Sequence, residues 1–137
     1  MINDIIQISK EAGELIRNAF GKSHSVEFKT NELNLVTETD KASEKLITDF
    51  IRKKHPAHGI IAEEGSEANK SAEYLWVVDP LDGTSNFAHG LPIFAVSIGV
   101  QKSGDTIAGK TPERKVLSFV LAGALGIGWM VSGVFSA

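Results

Sequence analysis

Residues 76–87 carry the sequence WVVDPLDGTSNF, in which a continuous apolar run ends in two acids, a glycine and a group of small polar residues. An apolar run of this kind, bounded by turn-forming residues, is typical of a buried strand. Pro80 fixes the turn that leaves the strand, and Gly83 with Thr84 can open a short helix whose first N–H groups have no partner within the helix. The stretch therefore predicts a buried strand, a turn that carries two carboxylates, and a short helix.

Two helices are predicted before this strand. Apolar residues recur at helical spacing over residues 3–20, where Asn3 is the candidate N-cap and Gly21 the stop. The second helix follows Thr37 and ends in a basic run before Pro56. Short apolar runs predict the strands, which we place at residues 59–62, 74–78, 93–100 and 106–108. This order of helices and strands predicts an α/β fold.

The composition excludes several classes of protein. Of the 137 residues, 42% are hydrophobic and 23% are charged, which is typical of one modest globular domain. The formal net charge of -3, without a long basic run, argues against nucleic-acid binding, which depends on Lys and Arg contacts to phosphates. The chain has no cysteine, so disulfides, thiolate metal sites and cysteine nucleophiles are excluded. Any metal must therefore be held by oxygen or histidine.

Three acids follow or end predicted strands. Asp79 and Asp82 flank the turn after one strand, and Glu63 follows the strand at 59–62. Carboxylates held close together repel one another unless a cation lies among them. Because the donors are oxygens, the cation that fits best is magnesium. The spacing alone leaves a second interpretation open, in which these residues form a capped turn with solvated acids.

Other residues with chemically active side chains receive structural roles. His55 and His58 lie near a helix end and a turn without metal-ligand spacing, so we expect solvated or capping side chains there. Trp76 lies within an apolar strand and is predicted to belong to the core rather than to a stacking platform for a ligand.

Four further motifs accompany the stretch at 76–87: LVTETD at 35–40, EEGS at 63–66, HG at 89–90 and VSIG at 96–99. Together, over about residues 3–109, these motifs resemble the inositol monophosphatase family of magnesium-dependent phosphatases. The resemblance implies a layered α/β sandwich of the inositol monophosphatase or sugar-phosphatase type, present as its N-terminal half. It also implies hydrolysis of a phosphate monoester, with inositol monophosphate converted to inositol and phosphate.

By this resemblance, magnesium is the cofactor and the acids are its ligands. Glu63, Asp79 and the backbone carbonyl of Leu81 would hold the first ion. Asp79 would bridge to a second ion, to which Asp82 would also contribute. A two-metal site lowers the pKa of a water and neutralises the phosphate that the water attacks.

The resemblance also implies which residues handle the phosphate and the attacking water. Gly83 and Thr84 would present backbone N–H groups to the substrate phosphate. Thr84, Asp40 and Glu63 would be the catalytic residues that position and deprotonate the water. The expected ligand is a small-molecule phosphate monoester such as inositol phosphate or a similar polyol phosphate, and we also expect a homodimer.

The composition changes at about residue 109, which divides the chain into an inositol monophosphatase-like region, 1–109, and a divergent tail, 110–137. Residues 116–137 contain no charged side chain and follow two basic residues. This length and this flank predict a transmembrane helix over 116–137, which would anchor a cytoplasmic protein to a membrane. A second interpretation is that the tail is a foreign reading frame or a fusion.

In the family that the chain resembles, a second half supplies a further magnesium ligand and recognises the alcohol. After Asp105 the only acid in this sequence is Glu113. We therefore expect the second metal site to be incomplete and the activity to be weak or lost. The alternative to an enzyme is a non-catalytic fragment, tethered to a membrane, that binds magnesium or phosphate without turnover.

Overall fold

The computed structural model describes residues 1–22, 26–28, 35–103, 105–106, 117–124 and 127–131. The helices in these ranges are α1 (Ile2–Ala19), α2 (Glu38–Lys54) and α3 (Thr84–Ala88). The strands are β1 (Val26–Phe28), β2 (Leu35–Thr37), β3 (Gly59–Ala62), β4 (Glu67–Ala68), β5 (Tyr74–Asp82), β6 (Ala95–Lys102), β7 (Asp105–Thr106), β8 (Leu117–Ala124) and β9 (Ile127–Val131). The α/β class predicted from the order of elements is confirmed.

Each of the two long helices buries one face. The buried side chains of α1 include Ile5, Ile8 and Ile16, which recur at helical spacing. α2 begins with a capping box, in which the Thr37 hydroxyl accepts from the Asp40 N–H and the Asp40 carboxylate accepts from the Thr37 N–H. Its last turn is basic, which suits the negative end of the helix dipole. The two predicted helices are confirmed. The N-cap predicted at Asn3 is wrong, because α1 begins at Ile2 and its N-cap residue is Met1.

The larger sheet has seven strands in the order β4-β3-β5-β6-β8-β9, with β7 paired to β6, while β1 and β2 form a separate two-stranded sheet. In the larger sheet β3 and β5 are parallel, whereas the other pairs are antiparallel. Ala62 at the end of β3 pairs with Val78, and the Glu63 N–H donates to the Val78 carbonyl at 3.0 Å. The parallel pairing therefore places Glu63 beside Asp79.

The large sheet has a buried face and an open face, because successive side chains of a strand point to opposite sides. Trp76 and Val78 of β5 are buried in the core together with Ile47 of α2. Val77, which lies between them, is 38% exposed. Asp79 follows the same alternation as Val77, so its side chain belongs to the open face.

The helix predicted over residues 116–137 is wrong, because the described part of this tail is β-structure. β8 pairs with β6, with Leu117 opposite Val100, and β9 pairs with β8. A continuous apolar run has no period that distinguishes a buried strand from a helix, and here β6 supplies the hydrogen-bonding partner. Within the described ranges, no helix has both the length and the apolar character needed to cross a membrane. The boundary predicted at residue 109 lies outside the described residues.

An aromatic cluster forms around Trp76 near the start of β5. Trp76 is fully buried, as predicted, and its Nε1–H donates to Nδ1 of His58 at 3.0 Å. The His58 ring also stacks on the rings of His55 and Tyr74, at centroid distances of 4.7 and 4.9 Å. The solvated or capping role predicted for His58 is therefore wrong, because these partners are brought together only by the packing of β5 beneath α2. His55 is the C-cap residue of α2, as its position suggested.

We expect the protein to lose stability when acidification protonates His58. Burial, and next the charge of His55, lower the pKa of His58 below its ordinary value of 6.5, while Glu73 opposes them. The unfolded chain therefore takes up a proton at a higher pH than the folded protein, so acidification below about pH 6.5 favours unfolding. In His58→Asn, whose amide oxygen can still accept from Trp76, Tm should fall less between pH 7 and 5 than in the unaltered protein. An identical fall in both proteins would contradict this role.

Candidate active site

Glu63 and Asp79 form a carboxylate pair beyond the carboxyl end of β3. Burial, the charge of Glu63 and a hydrogen bond with Glu63 raise the pKa of Asp79 from 3.8 to about 7. The charge of Asp82 adds to this effect, whereas the Leu81 N–H, which donates to Oδ1 of Asp79 at 3.2 Å, opposes it. Two carboxyl groups in contact are stable only when they share a proton or a cation. The pair is therefore a place where a cation would be stabilised.

Asp82, the third acid of the predicted metal site, is the exposed last residue of β5. The charge of Asp82 contributes to the raised pKa of Asp79. Within the described residues, however, no three His, Asp or Glu side chains form a group that could hold a metal ion. The pairing of β5 with β6 shifts register between Asp79 and Asp82. The structure thus brings two of the three predicted carboxylates together and leaves the third at the surface.

The donors around the pair fit magnesium. This ion prefers oxygen ligands, is held in many enzymes by one or two carboxylates, and keeps several of its waters. Leu81, whose carbonyl was predicted as a further ligand, is connected to the carboxylate pair because its N–H donates to Asp79. Burial and the neighbouring negative charges both raise the pKa of Asp79, and a bound cation would stabilise the ionised form that they disfavour.

A cavity of about 430 Å³ opens beside the carboxylate pair. Glu63 and Asp79 line one part of it. Its other lining residues include alternate positions of β3, β5 and β6 on the open face of the sheet, namely Ile61, Val77, Ser97, Gly99 and Gln101. The acids therefore face a space that can admit water and a phosphate group.

Asp40 and Thr84 form a second pair. Asp40 is buried in the first turn of α2, where its Oδ2 accepts from the N–H and the hydroxyl of Thr37. Its Oδ1 lies 2.9 Å from the Thr84 hydroxyl oxygen, which is also 2.9 Å from the Leu81 carbonyl oxygen. Two of the three predicted catalytic residues are thus in direct contact, whereas Glu63 contacts Asp79.

Gly83 makes the turn between β5 and α3 sterically possible. It has φ +85° and is the N-cap residue of α3. A Cβ at this position would lie 2.8 Å from the Ile93 carbonyl oxygen and 3.3 Å from Cα of Phe94. The backbone can therefore make the short turn from β5 into α3 because Gly83 has no side chain.

Gly83→Ala is expected to destabilise the protein by about 2 kcal/mol or more, which corresponds to a fall in Tm of roughly 5–10 °C. The reasons are the left-handed backbone and the contact with the Ile93 carbonyl. Gly90→Ala is the matched control, because Gly90 has φ +74° and no atom lies within 4 Å of its added Cβ. Thermal melts of both variants should show a clearly larger loss for Gly83→Ala. Equal losses would contradict the close approach at this turn.

Two residues of the site were missed by reasoning from the sequence. Ser43 is fully buried, and its hydroxyl donates to the Pro80 carbonyl at 2.9 Å. Glu44 is also buried, and its carboxylate accepts from the N–H groups of Glu64 and Ser66. A signal was present, since these residues lie three and four positions after Asp40 and therefore share its face of α2.

A model of the inositol monophosphatase family matches residues 1–133. The chain belongs to the inositol monophosphatase family. The match continues past residue 109, where the resemblance identified from the motifs ends, and includes β8 and β9. The matched residues therefore include part of the tail at 110–137, while the division of the chain at about residue 109 stays a prediction.

Relatives and solved structures agree with this membership. Inositol monophosphatase 2 of Solanum lycopersicum is 47% identical over 100 residues, which cover 69% of this chain and 37% of that protein. An inositol monophosphatase of Mesembryanthemum crystallinum is 40% identical over 134 residues, which cover 95% of this chain and 47% of that protein. The extragenic suppressor protein suhB of Bartonella henselae has the same fold, with a TM-score of 0.77, 28% identity, and coverage of 95% of this chain and 51% of that one. The chain thus spans at most about half the length of these three proteins.

Proposed function

We propose that the chain supplies catalytic residues for the magnesium-dependent hydrolysis of phosphate monoesters, with inositol monophosphate as the substrate. The observation that carries this proposal is the position of Leu81 between the two pairs. Its N–H donates to Asp79 of the carboxylate pair, and its carbonyl oxygen lies 2.9 Å from the Thr84 hydroxyl, which is equally close to Asp40. A candidate cation site and a candidate proton-accepting site therefore share the backbone of one residue.

Glu63, Asp79 and the Leu81 carbonyl would hold magnesium, and the exposed Asp82 would contribute to a second ion. When bound, magnesium would neutralise phosphate charge and lower the pKa of a water. The cavity beside the pair leaves room for the phosphate on the open face of the sheet. The backbone N–H groups at Gly83 and Thr84 would donate to the phosphate oxygens.

Asp40 would accept a proton from the attacking water through Thr84, whose hydroxyl would take up the proton of the water as it passes its own proton to Asp40. The Thr84 hydroxyl has one proton, and its donation to Asp40 leaves an oxygen lone pair that can accept from water. The same donation leaves the Leu81 carbonyl available to a cation. Proton acceptance at Thr84 and cation binding at Leu81 are therefore compatible.

The choice of inositol monophosphate is supported by the relatives that are named for it, including the protein of Mesembryanthemum crystallinum that covers 95% of this chain. The carboxylate pair and the Asp40 to Thr84 contact support phosphate ester hydrolysis whatever the alcohol is. The homodimer and the cytoplasmic location stay predictions from the sequence.

The test is phosphate release from inositol monophosphate by the purified chain, with Mg²⁺ and with EDTA. Asp79→Asn, purified in parallel, is the control for contaminating phosphatases. Release that requires Mg²⁺ and is absent in Asp79→Asn would support the proposal, even at a low rate. Mg²⁺ binding without release would overturn hydrolysis and favour the alternative of a non-catalytic binding protein.

A further inference from the structure

The first half of α2 presents a buried polar face to the candidate site. Asp40, Ser43 and Glu44 are all buried, and each bonds to a different segment: Asp40 to Thr84, Ser43 to the Pro80 carbonyl, and Glu44 to the loop after β3. Glutamate is rarely buried unless it is paired. The burial of the Glu44 side chain, which is 5% exposed, therefore requires hydrogen-bond partners.

The Glu44 carboxylate bonds to the loop through both oxygens. Oε2 accepts from the Glu64 N–H at 2.6 Å, and Oε1 accepts from the Ser66 N–H at 3.0 Å. The loop is also closed on itself, because the Ala62 N–H donates to the Ser66 carbonyl at 3.0 Å. Bonds from backbone N–H groups to an ionised carboxylate are among the stronger hydrogen bonds in proteins.

These bonds fix the backbone on both sides of Glu63. On one side, the Glu63 N–H donates to the Val78 carbonyl of β5. On the other side, the next N–H, that of Glu64, donates to Glu44. Since the carboxylates of Glu63 and Asp79 repel each other when both are charged, an anchor is needed to keep Glu63 in place.

We propose that Glu44 is a positioning residue for the candidate cation site, which holds the backbone of Glu63 so that its carboxylate faces Asp79. The role rests on the proposed function, because it requires that the carboxylate pair binds a cation. Glu44 does not touch the cation in this account. Its effect is to keep the pair assembled, as outer partners of metal ligands do.

The test compares Mg²⁺ affinity and stability in two variants of α2. In Glu44→Gln, one amide oxygen still accepts, but the NH₂ group faces a backbone N–H, so the loop loses one bond and gains a repulsion. Thr48→Val is the matched control, because the buried Thr48 hydroxyl donates to the Lys45 carbonyl of the same helix, away from the loop. Calorimetric titration gives Kd, and thermal melts in EDTA give the change in Tm.

We expect Glu44→Gln to weaken Mg²⁺ binding about tenfold or more, as loss of an outer partner typically does. Thr48→Val should keep the Kd of the unaltered protein within about twofold, even if its Tm falls. A Glu44→Gln variant that melts at a lower temperature but retains the unaltered Kd would overturn the proposal, since it would show a purely structural role. No Mg²⁺ binding by the unaltered protein would overturn the proposed function, and this role with it.

If Glu44→Gln does not fold, a second measurement tests the positioning role of Glu44. Because coupling between two sites is reciprocal, Mg²⁺ must stabilise the loop that favours its own binding. In the unaltered protein, Mg²⁺ should therefore slow hydrogen exchange at the amides of Glu64 and Ser66, measured by NMR. Exchange rates at these two amides that do not change with saturating Mg²⁺ would overturn the proposal.

Discussion

Replacing Asp79 with asparagine is expected to raise the Tm of the metal-free protein at pH 8 and to abolish its stabilisation by Mg²⁺. At pH 8 Asp79 is mostly ionised, because this pH lies above its pKa of about 7. Asparagine keeps the shape, since its NH₂ group can donate to Glu63 and its oxygen can accept from the Leu81 N–H. The substitution therefore removes the cost of burying the charge and the repulsion from Glu63 without removing the contacts. It also removes a proposed ligand.

The size and the pH range of this effect follow from the direction of the pKa shift. An acid whose pKa is raised in the folded state binds more protons folded than unfolded, so it destabilises the protein increasingly as the pH rises from about 4 to about 7. The full shift from 3.8 to about 7 corresponds to about 4 kcal/mol. Since Asp79 is only half-buried, solvent screening reduces the expected gain in Asp79→Asn to about 1–2 kcal/mol. Near pH 4 the gain should vanish.

Scanning calorimetry in EDTA and in millimolar Mg²⁺ measures both effects. Asp82→Asn is the graded control, because it removes an exposed charge that acts on Asp79 from outside the pair, and its gain should be smaller. A lower Tm for metal-free Asp79→Asn at pH 8, or a shift with Mg²⁺ equal to that of the unaltered protein, would contradict the carboxylate pair as a cation site.

Thr84→Val is expected to lower kcat for phosphate monoester hydrolysis by about 10²–10⁴-fold, the usual contribution of a positioned proton acceptor. Valine keeps the shape of the side chain but removes the hydroxyl that lies 2.9 Å from both Asp40 and the Leu81 carbonyl. Because this hydroxyl is proposed to act on the attacking water, KM should change only a few-fold.

Steady-state kinetics of Thr84→Val and Ser85→Ala test this role. Ser85 is the next residue in α3, and its exposed side chain has no part in the proposed chemistry. Its alanine variant should retain the kcat of the unaltered protein. A Thr84→Val enzyme with an unchanged kcat, or one whose loss lies entirely in KM, would remove the hydroxyl from the mechanism.

The strand, turn and helix at residues 76–87 could be predicted because local chemistry determines them. The apolar run requires burial, and Gly83 permits the left-handed turn into α3. The turn predicted at Pro80 is wrong, because β5 continues through Pro80 to Asp82. The approach of Glu63 to Asp79 was also predictable, since acids that follow neighbouring parallel strands meet at one edge.

The remaining features depend on partners distant in the sequence. The described part of the apolar tail forms strands because β6 is available to pair with β8, and the composition of the tail alone does not distinguish a helix from a strand. The sequence gives Glu44 no feature that distinguishes it from a surface acid, because its role depends on bonds to the N–H groups of Glu64 and Ser66 in a distant loop. His58 likewise acquires its role only from Trp76 and Tyr74.

The most direct test of the cation site is to locate a bound ion by NMR with Mn²⁺, a paramagnetic ion that shares the preference of Mg²⁺ for oxygen ligands. With less than one equivalent of Mn²⁺, we predict that the amide signals of Glu63, Leu81 and Thr84 broaden first and recover when excess Mg²⁺ is added. Broadening that begins at exposed acids elsewhere, such as Glu11 and Glu14 of α1, with these three signals unaffected, would contradict a cation site at Glu63 and Asp79.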